Sequence, residues 1–344
     1  MLRPQRLRDR LLLQEDLNFL LTNRIPRELA TRIMGRISRI RSRRFTRIAI
    51  SLWRQFTDLD LSEAKEKEFV SIHDCFTREL RPGARPIDPD PTILVSPCDA
   101  LVGECGRVEA GQVFQAKGFP YPLEDLFGTR GAADPFLDGC YVTLRLTSSM
   151  YHRFHAPDHG TIEKVTHIQG DTWNVNPIAL KRVERLFCRN ERAVIGMRLK
   201  EGQPVALVAV AAILVASLRL RFLNILLHQR WKGPHEIPCS HNAVRGEELG
   251  WFEHGSTILV FAPPGFTPCE GIRPGTRIRM GQALLRRPAH GKDSDGSESG
   301  FNPTETEGTQ APCHGRSATC TSAGGRLIQV GRVKWTSRNR RHNS

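Results

Sequence analysis

Gly255, Ser256 and Thr257 stand directly before an apolar segment at 258–261. A serine hydroxyl is able to attack the carbonyl carbon of the residue before it, and glycine offers that attack the least steric resistance. The β-branched and apolar residues at 258–261 would fix the bond at the start of a strand. Because most Gly-Ser pairs are ordinary turns, self-cleavage at this bond is indicated only if further chemical groups are present.

Three side chains upstream have the chemistry that such a reaction needs. His152 and His155 lie in the segment Tyr-His-Arg-Phe-His at 151–155, and Asp99 follows Ser-Pro-Cys at 96–98. Imidazole titrates near neutral pH and is the commonest general base in proteins. Asp99 would orient the ring of His155 and stabilise its cation when Ser256 loses its proton. The sequence therefore contains a candidate serine–histidine–aspartate triad and a second imidazole.

The same residues also allow structural and metal-binding interpretations. The spacing of His152 and His155 would suit a metal site on a helix, but the flanking segments 141–146 and 156–157 indicate a strand and a turn. Zinc needs at least three protein ligands, and no cysteine-rich or carboxylate-rich motif completes such a set, so we expect no metal. Histidines that only satisfy backbone hydrogen bonds, and an Asp99 that only caps a turn, remain open alternatives.

Seven ordered blocks of sequence together resemble one known family. They lie at 76–87, 96–99, 115–123, 151–155, 175–177, 187–192 and 246–257, and their most distinctive parts are Ser-Pro-Cys-Asp, Tyr-His-Arg-Phe-His, Phe-Cys-Arg-Asn-Glu-Arg and Gly-Ser-Thr. On these blocks, from about residue 76 to residue 265, the chain resembles the pyruvoyl-dependent phosphatidylserine decarboxylase proenzymes. Seven blocks in the same order are far more specific than any one of them.

The resemblance implies that the chain processes itself. Cleavage between Gly255 and Ser256 would use Asp99 and His155 as activating partners. Attack by Ser256 would give an ester, β-elimination would follow, and hydrolysis of the dehydroalanine would leave a pyruvoyl group at residue 256. The products would be a β chain of 1–255 and an α chain of 256–344, held together as a heterodimer, with a homodimer of these as the expected assembly.

The resemblance further implies a carboxy-lyase reaction on phosphatidylserine. The pyruvoyl ketone, a covalent cofactor made from Ser256, would form a Schiff base with the substrate amine and accept electrons as carbon dioxide leaves. His152 is the expected assistant in decarboxylation, and His152 or His155 would protonate the carbanion. The product would be phosphatidylethanolamine.

Two positions depart from the family pattern. Met150 precedes the Tyr-His-Arg block where an aspartate is usual, and Ala100 follows Asp99 where a glycine is usual. Neither change removes a group of the candidate triad. Met150 alters the hydrogen bonding available to the histidine loop, and Ala100 would require a different turn conformation after Asp99.

The elements that must position these residues indicate an α+β fold. A predominantly β catalytic domain is predicted at 71–287, with short apolar or β-branched segments at 92–95, 141–146, 205–218 and 257–261 separated by Pro and Gly. The segment 205–218 is uniformly apolar, which predicts a pair of strands buried on both faces. A helical region is predicted at 1–70, because Leu and Ile recur there at three- and four-residue steps. Residues 288–344 are rich in Gly, Ser, Thr and Glu and predict a disordered tail with a basic end.

Charge indicates the partner of the helical region. The formal net charge is +14, and residues 1–54 carry 14 Arg, no Lys and four acidic residues. Such asymmetry favours an anionic surface, and a lipid substrate makes an anionic membrane the expected partner. Arginines mixed with aliphatic residues, rather than with stacking aromatics or a reader motif, argue against nucleic acid. With no apolar run long enough to cross a bilayer, we expect a peripheral protein on the cytoplasmic face of a bacterial-type cell membrane.

Two alternatives stay open at this point. A homologue that has lost self-processing would act only as an anionic-lipid-binding protein through its basic helices. An active enzyme would keep the chemistry and use a serine lipid with a different hydrophobic tail.

Overall fold

Two helices open the part of the chain that the computed structural model describes, which comprises residues 27–115, 119–129, 131–213, 217–253 and 256–288. Helix α1 spans Arg27–Ser38 and helix α2 spans Arg43–Phe56. At the start of α2 the Ser42 hydroxyl accepts a hydrogen bond from the Phe45 amide, which is the usual way a helix start is satisfied. The residues at 1–26 of the predicted helical region lie outside the described residues.

The helical prediction is wrong beyond α2, where the chain continues in turns until a short helix, α3, at Ile72–Phe76. The Asp60 carboxylate accepts a hydrogen bond from the Ser62 amide at 2.8 Å. Side-chain acceptors of this kind compete with helical backbone bonding and favour turns.

Short helices and strands alternate through the rest of the described chain. The further α-helices are α4 Leu123–Phe127, α5 Pro177–Leu180 and α6 Leu186–Arg189, with one 3-10 turn at Asp134–Phe136. The first nine strands are β1 Ile93–Val95, β2 Ala100–Arg107, β3 Gln112–Phe114, β4 Pro120–Pro122, β5 Cys140–Leu146, β6 Arg153–His155, β7 Gly160–Ile168, β8 Arg192–Leu199 and β9 Pro204–Ala211. The others are β10 Ser217–Leu220, β11 Ile225–His228, β12 Glu236–Ala243, β13 Glu248–Phe252, β14 Ser256–Ala262, β15 Thr267–Pro268, β16 Arg277–Ile278 and β17 Ala283–Arg286.

An eight-stranded antiparallel sheet forms the centre of the fold. Its order is β12-β7-β8-β9-β14-β5-β2-β16, so β14 lies inside the sheet, hydrogen-bonded to β9 on one side and β5 on the other. A four-stranded sheet has the order β11-β10-β13-β6, and smaller sheets join β1-β17-β15 and β3-β4. A strand in the interior of a sheet has neighbours that fix its backbone on both sides.

Both faces of the central sheet are covered by apolar side chains. All seven residues of β14 are buried. Ile258 and Val260 belong to the core that includes Phe154 of the four-stranded sheet. Leu259 and Phe261 belong to a second core that also contains side chains of α4, α5 and α6. The alternation follows from the two-residue period of a strand.

The predicted strands are confirmed at β1, β5 and β14. The apolar segment at 205–218 also supplies two strands, β9 and the start of β10, but they do not pair with each other. Strand β9 lies in the eight-stranded sheet and β10 in the four-stranded one. An apolar run indicates burial, whereas the strand it pairs with is decided by tertiary packing.

The large apolar residues that remain exposed are concentrated on α1, α2 and the link between them. They are Leu29, Ile33, Ile37, Ile40, Phe45, Ile48, Leu52 and Phe56. On the opposite side of α2, Ile50 and Trp53 pack against a small core with Phe69. Among the described residues, no helix is long and apolar enough to cross a membrane. The predicted tail lies outside the described residues, apart from position 288.

Candidate active site

Ser256 is the first residue of β14 and is completely buried. Its backbone lies opposite Leu146 of β5 and Ala211 of β9. The Ser256 hydroxyl has no hydrogen-bond partner among the described residues. A buried hydroxyl without a partner costs about 1–3 kcal/mol, so this oxygen is held in an unfavourable environment by the surrounding sheet. Gly255, on the other side of the predicted cleavage site, lies outside the described residues.

The strand beside Ser256 is itself anchored. The Ala211 amide donates to the Glu191 carbonyl at 2.9 Å, and the Asn190 side-chain amide donates to the Ala211 carbonyl at 2.8 Å. Both partners come from the segment Arg-Asn-Glu-Arg at 189–192, one of the sequence blocks noted above. This block therefore fixes the backbone next to the serine.

Asp99 is buried and fully engaged by an arginine. Arg85 donates from Nε to Asp99 Oδ1 at 2.8 Å and from Nη2 to Asp99 Oδ2 at 2.6 Å. The Met280 amide donates to Asp99 Oδ1 at 2.9 Å. Burial by itself would lower the pKa of Arg85, but its bonds to Asp99 and Glu63 outweigh that effect and raise the pKa. The result is a permanent cation paired in a bidentate geometry with Asp99.

His155 ends β6 and has a hydrogen bond at each ring nitrogen. Nδ1 lies 2.9 Å from the carbonyl oxygen of Gly246, and Nε2 lies 3.0 Å from the hydroxyl of Tyr151. A carbonyl only accepts, so Nδ1 carries the proton and Nε2 of the neutral ring accepts from Tyr151. Burial lowers the pKa of His155, which favours the neutral form, and the Gly246 carbonyl and nearby carboxylates oppose the shift. His155 is therefore a base at neutral pH, with its lone pair on Nε2.

Gly246 makes this contact from a conformation that a side chain would obstruct. Its φ is +80°, in the left-handed region, and a Cβ there would overlap Cδ1 of Ile87. A glycine is required at this position for the carbonyl to reach His155.

His152 is completely buried just before β6. Its Nδ1 lies 2.9 Å from the Met150 carbonyl oxygen, and its ring centroid lies 3.9 Å from that of Phe76. The contact with Met150 uses only the main chain, so the departure at this position does not change that hydrogen bond. The second departure is also accommodated, because Ala100 is buried at the start of β2 and pairs with Ile278.

The structure brings some of the predicted residues together and leaves others apart. The His155 amide donates to the Pro97 carbonyl at 2.8 Å, which places β6 beside the turn that carries Asp99. The Asp99 carboxylate contributes to the pKa of His155 but makes its hydrogen bonds elsewhere. Among the described residues, the Ser256 hydroxyl bonds to none of Asp99, His152 and His155. The ring of His155 is oriented by Tyr151 and Gly246, and the triad stays a prediction.

Three functional candidates were missed by reasoning from the sequence, namely Arg85, Tyr151 and Arg145. Arg85 and Tyr151 lie inside the sequence blocks at 76–87 and 151–155, but only the fold shows which groups they contact. Arg145 belongs to a segment that the sequence indicates as a strand, where an arginine is expected on a solvated face.

A cavity of about 540 Å³ lies beside the start of β14. Its lining is mostly apolar and comes from α1, α2, α3, the end of β5, the segment 174–176 and the segment after β9. Leu146, which lies opposite Ser256, and Ala212, which follows Ala211, both line it. Phe76 separates His152 from this space, because its ring contacts His152 and also lines the cavity. An apolar cavity with a few polar groups at one end suits an amphiphilic ligand.

No cluster of three or more His, Cys, Asp or Glu side chains suited to a metal ion occurs within the described ranges.

Comparisons with known proteins identify the family of this chain. A family model described as phosphatidylserine decarboxylase matches residues 72–286. The phosphatidylserine decarboxylase proenzyme of Shewanella sp. (strain ANA-3) is 35% identical over 272 residues, covering 76% of this chain and 93% of the relative. The protein of the same name from Idiomarina loihiensis is 34% identical over 282 residues, covering 79% and 95%. The family model covers more than half of the chain, including the histidine loop and Ser256, and both relatives match over most of its length: the chain belongs to the phosphatidylserine decarboxylase family.

Proposed function

We propose that this protein is a phosphatidylserine decarboxylase that cuts its own chain between Gly255 and Ser256. The observation that carries the proposal is the Ser256 hydroxyl, which is buried, has no hydrogen-bond partner among the described residues, and starts a strand fixed on both sides. The cavity next to it is large and apolar enough for part of a lipid. A serine held in this way is suited to react with its own backbone rather than with water.

Self-processing needs a base, and His155 is the residue best prepared for that role. Its neutral ring has the lone pair on Nε2, where Tyr151 now donates. We infer that a local rearrangement of the Tyr151 hydroxyl frees this nitrogen to take the proton of Ser256. Arg85 and Asp99 form a rigid ion pair behind the loop, so Asp99 acts by holding the turn next to β6.

The residue that would carry a pyruvoyl group fits that chemistry, because Ser256 is buried next to the cavity and its hydroxyl is not engaged. A pyruvoyl group there would supply a ketone that captures the substrate amine and accepts the electron pair released as carbon dioxide leaves. The chain's own residues have the remaining tasks. The apolar lining would limit water at the reacting carbon, and His152 would deliver a proton to the cavity once the Phe76 ring between them moves aside.

The helices explain how a lipid would reach the cavity. One side of α1 and α2 exposes the apolar residues Leu29, Ile33, Ile48 and Leu52. Residues directly adjacent to these in sequence, Met34, Ala49 and Trp53, line the cavity. An amphipathic helix of this type inserts its apolar face among lipid headgroups, and arginines strengthen binding to anionic lipid. We infer peripheral docking on the cytoplasmic face of the membrane, with substrate passing directly from the bilayer to the site.

Cleavage would not separate the two pieces. The segment from 256 onward supplies β14 to the central sheet, β16 to the strand pair with β2, and β17 to the pair with β1. These hydrogen bonds do not depend on the bond between residues 255 and 256. The β chain of 1–255 and the α chain of 256–344 are therefore expected to stay associated, and the family resemblance extends this to a homodimer.

The proposal is tested by giving the purified protein vesicles of phosphatidylserine and measuring phosphatidylethanolamine and carbon dioxide. We expect stoichiometric formation of both by the wild type and none by Ser256→Ala. Lipid binding without product in the wild type would contradict the proposal and support a protein that has lost self-processing and only binds anionic lipid.

A further inference from the structure

Arg145 is the one charged residue among the described residues that line the cavity. It lies on β5, opposite Thr257 of β14 on one side and Leu101 of β2 on the other. It directly precedes Leu146, the residue opposite Ser256. A cation is therefore built into the wall of an apolar cavity, one residue along β5 from the position opposite Ser256.

The guanidinium group of Arg145 has no partner in the part of the chain that the structure describes. Its Nε atom is buried without a hydrogen-bond acceptor, and no ion pair with a described carboxylate is formed. Burial lowers the pKa of Arg145, and no described carboxylate opposes that shift. A charge that is partly buried and has no described partner is costly for a fold, so it is retained only where something else compensates it.

Other buried arginines in this protein are compensated. Arg192 donates to four main-chain carbonyl oxygens, and Arg78 donates to two. Arg85 is held by Asp99 and a second carboxylate. Arg145 therefore differs from Arg192, Arg78 and Arg85, because each of those has described hydrogen-bond partners and Arg145, at the cavity wall, has none.

The sheet around Arg145 leaves room for its side chain and adds further polar groups. A Cβ on Gly103 would lie 3.2 Å from Thr143 and 3.5 Å from Cδ of Arg145. The absence of a side chain at Gly103 therefore leaves space for the aliphatic part of the Arg145 side chain. The hydroxyls of Thr143 and Thr257 are also buried without described partners. By the two-residue period of a strand, Thr143, Arg145 and Thr257 share one face of the sheet. Of these three residues, Arg145 is the one that lines the cavity, so its cation is the group available to an anionic ligand there.

We propose that Arg145 binds the phosphodiester of the lipid in this cavity. The inference rests on the proposed function for the identity of the lipid and adds the residue that recognises its headgroup. Guanidinium groups bind phosphate oxygens in a bidentate geometry, and the apolar lining from α1 and α2 suits the acyl chains.

The phosphodiester suits Arg145 better than the serine carboxylate does. The carboxylate loses its charge as carbon dioxide leaves, so a cation holding it would stabilise the substrate more than the transition state and slow the reaction. The phosphodiester keeps its charge throughout the reaction. A cation on the phosphodiester binds substrate, transition state and product alike, so it raises affinity without opposing the chemical step.

The test is calorimetric binding of two short-chain lipids, dihexanoyl phosphatidylserine and dihexanoyl phosphatidylethanolamine, to the full-length Ser256→Ala protein. Both lipids contain the phosphodiester, and only the first has the carboxylate. We expect Arg145→Met to weaken binding of both by the same factor, about 10- to 100-fold, as for loss of a charged hydrogen bond. Arg145→Lys should keep part of the affinity because it keeps the charge. Removing a partly buried charge that has no described partner should leave the melting temperature unchanged or higher, whereas loss of a structural arginine would lower it.

Arg198→Met is the matched control, because Arg198 is exposed on β8 and paired with Glu163; it should bind both lipids like the parent. If Arg145→Met does not fold, Arg145→Gln carries the same expectation. In the active enzyme, Arg145→Lys should raise KM with little change in kcat.

Weakened binding of phosphatidylserine alone would assign Arg145 to the carboxylate and overturn the proposal, as would unchanged binding of both lipids or a parent protein that binds neither. Because the binding assay uses Ser256→Ala, failure of self-cleavage would appear separately, as an uncut wild-type chain without decarboxylation.

Discussion

At the scale of single residues, the ring of His155 is prepared as a base by its surroundings. The Gly246 carbonyl keeps the proton on Nδ1, and burial keeps the ring neutral. The side-chain types at 99, 152, 155 and 256 were recognisable from the sequence because each lies in a short contiguous block. Their contacts were not, since Gly246 is 91 positions from His155 and Arg85 is 14 from Asp99. Pairings over such distances depend on the path of the whole chain.

The lowered pKa of His155 predicts the pH dependence of self-processing. The neutral ring is the active form, and its fraction falls only when the pH falls through the pKa of the folded protein, which lies below the ordinary value of 6.5. The cleavage rate of freshly refolded precursor should therefore be at its plateau near pH 8 and fall to half of that plateau only below about pH 6.5. A series of quenched time points on a denaturing gel measures this rate. A decline that is already half complete above pH 6.5 would contradict the assignment of His155 as a base with lowered pKa.

The ion pair between Arg85 and Asp99 predicts a stability effect. In Arg85→Met, the buried Asp99 carboxylate would lose both guanidinium bonds, and removal of one partner of a buried pair costs about 3–5 kcal/mol. We expect a clearly lower free energy of unfolding in urea and slower self-cleavage. Lys164→Met, which breaks the exposed pair with Glu236, is the control and should change stability by about 1 kcal/mol or less. Equal effects of the two substitutions would show that Asp99 does not depend on Arg85.

At the scale of elements, hydrophobic pattern identified the buried strands and failed where polar residues form a strand. The segments at 92–95, 141–146 and 257–261 became β1, β5 and β14, because apolar and β-branched runs suit a sheet with both faces covered. Strand β12 was not predicted, since it is largely polar and contains Pro238. It lies at the edge of the central sheet, where proline and exposed residues are tolerated.

The exposed apolar face of α2 predicts how the protein binds membranes. In the double variant Ile48→Glu, Leu52→Glu, two exposed side chains that we place in the lipid interface become charged. Burial of each such side chain contributes about 1.5–3 kcal/mol, so co-sedimentation with phosphatidylserine vesicles should fall by at least about tenfold. Turnover of vesicle substrate should fall with it, whereas turnover of monomeric dihexanoyl phosphatidylserine should be preserved.

Val244→Glu is the control for this experiment, because Val244 is an exposed apolar residue that lies outside the helices. It should sediment with vesicles like the wild type. If the double variant and Val244→Glu bind vesicles equally well, α2 is not the docking element.

At the scale of the whole molecule, the predicted cleavage site lies at the start of a strand in the interior of the central sheet. Strand β14 has β9 and β5 as neighbours and contributes to both apolar cores. The protein would thus create a new chain terminus at the edge of a cavity without losing a strand from the sheet. Strand β14 is hydrogen-bonded to β5 on one side and to β9 on the other. We therefore expect Ser256 to react within the folded chain, without large unfolding.

The measurement that tests the central claim most directly is the intact mass of the purified protein under denaturing conditions, with Ser256→Ala beside it. We predict two species from the wild type, matching residues 1–255 and 256–344, the second beginning with a pyruvoyl group instead of serine. The same sample under native conditions should give the two species in one complex, and Ser256→Ala should give one full-length chain. A wild-type chain that is continuous across residues 255 and 256 would contradict the account.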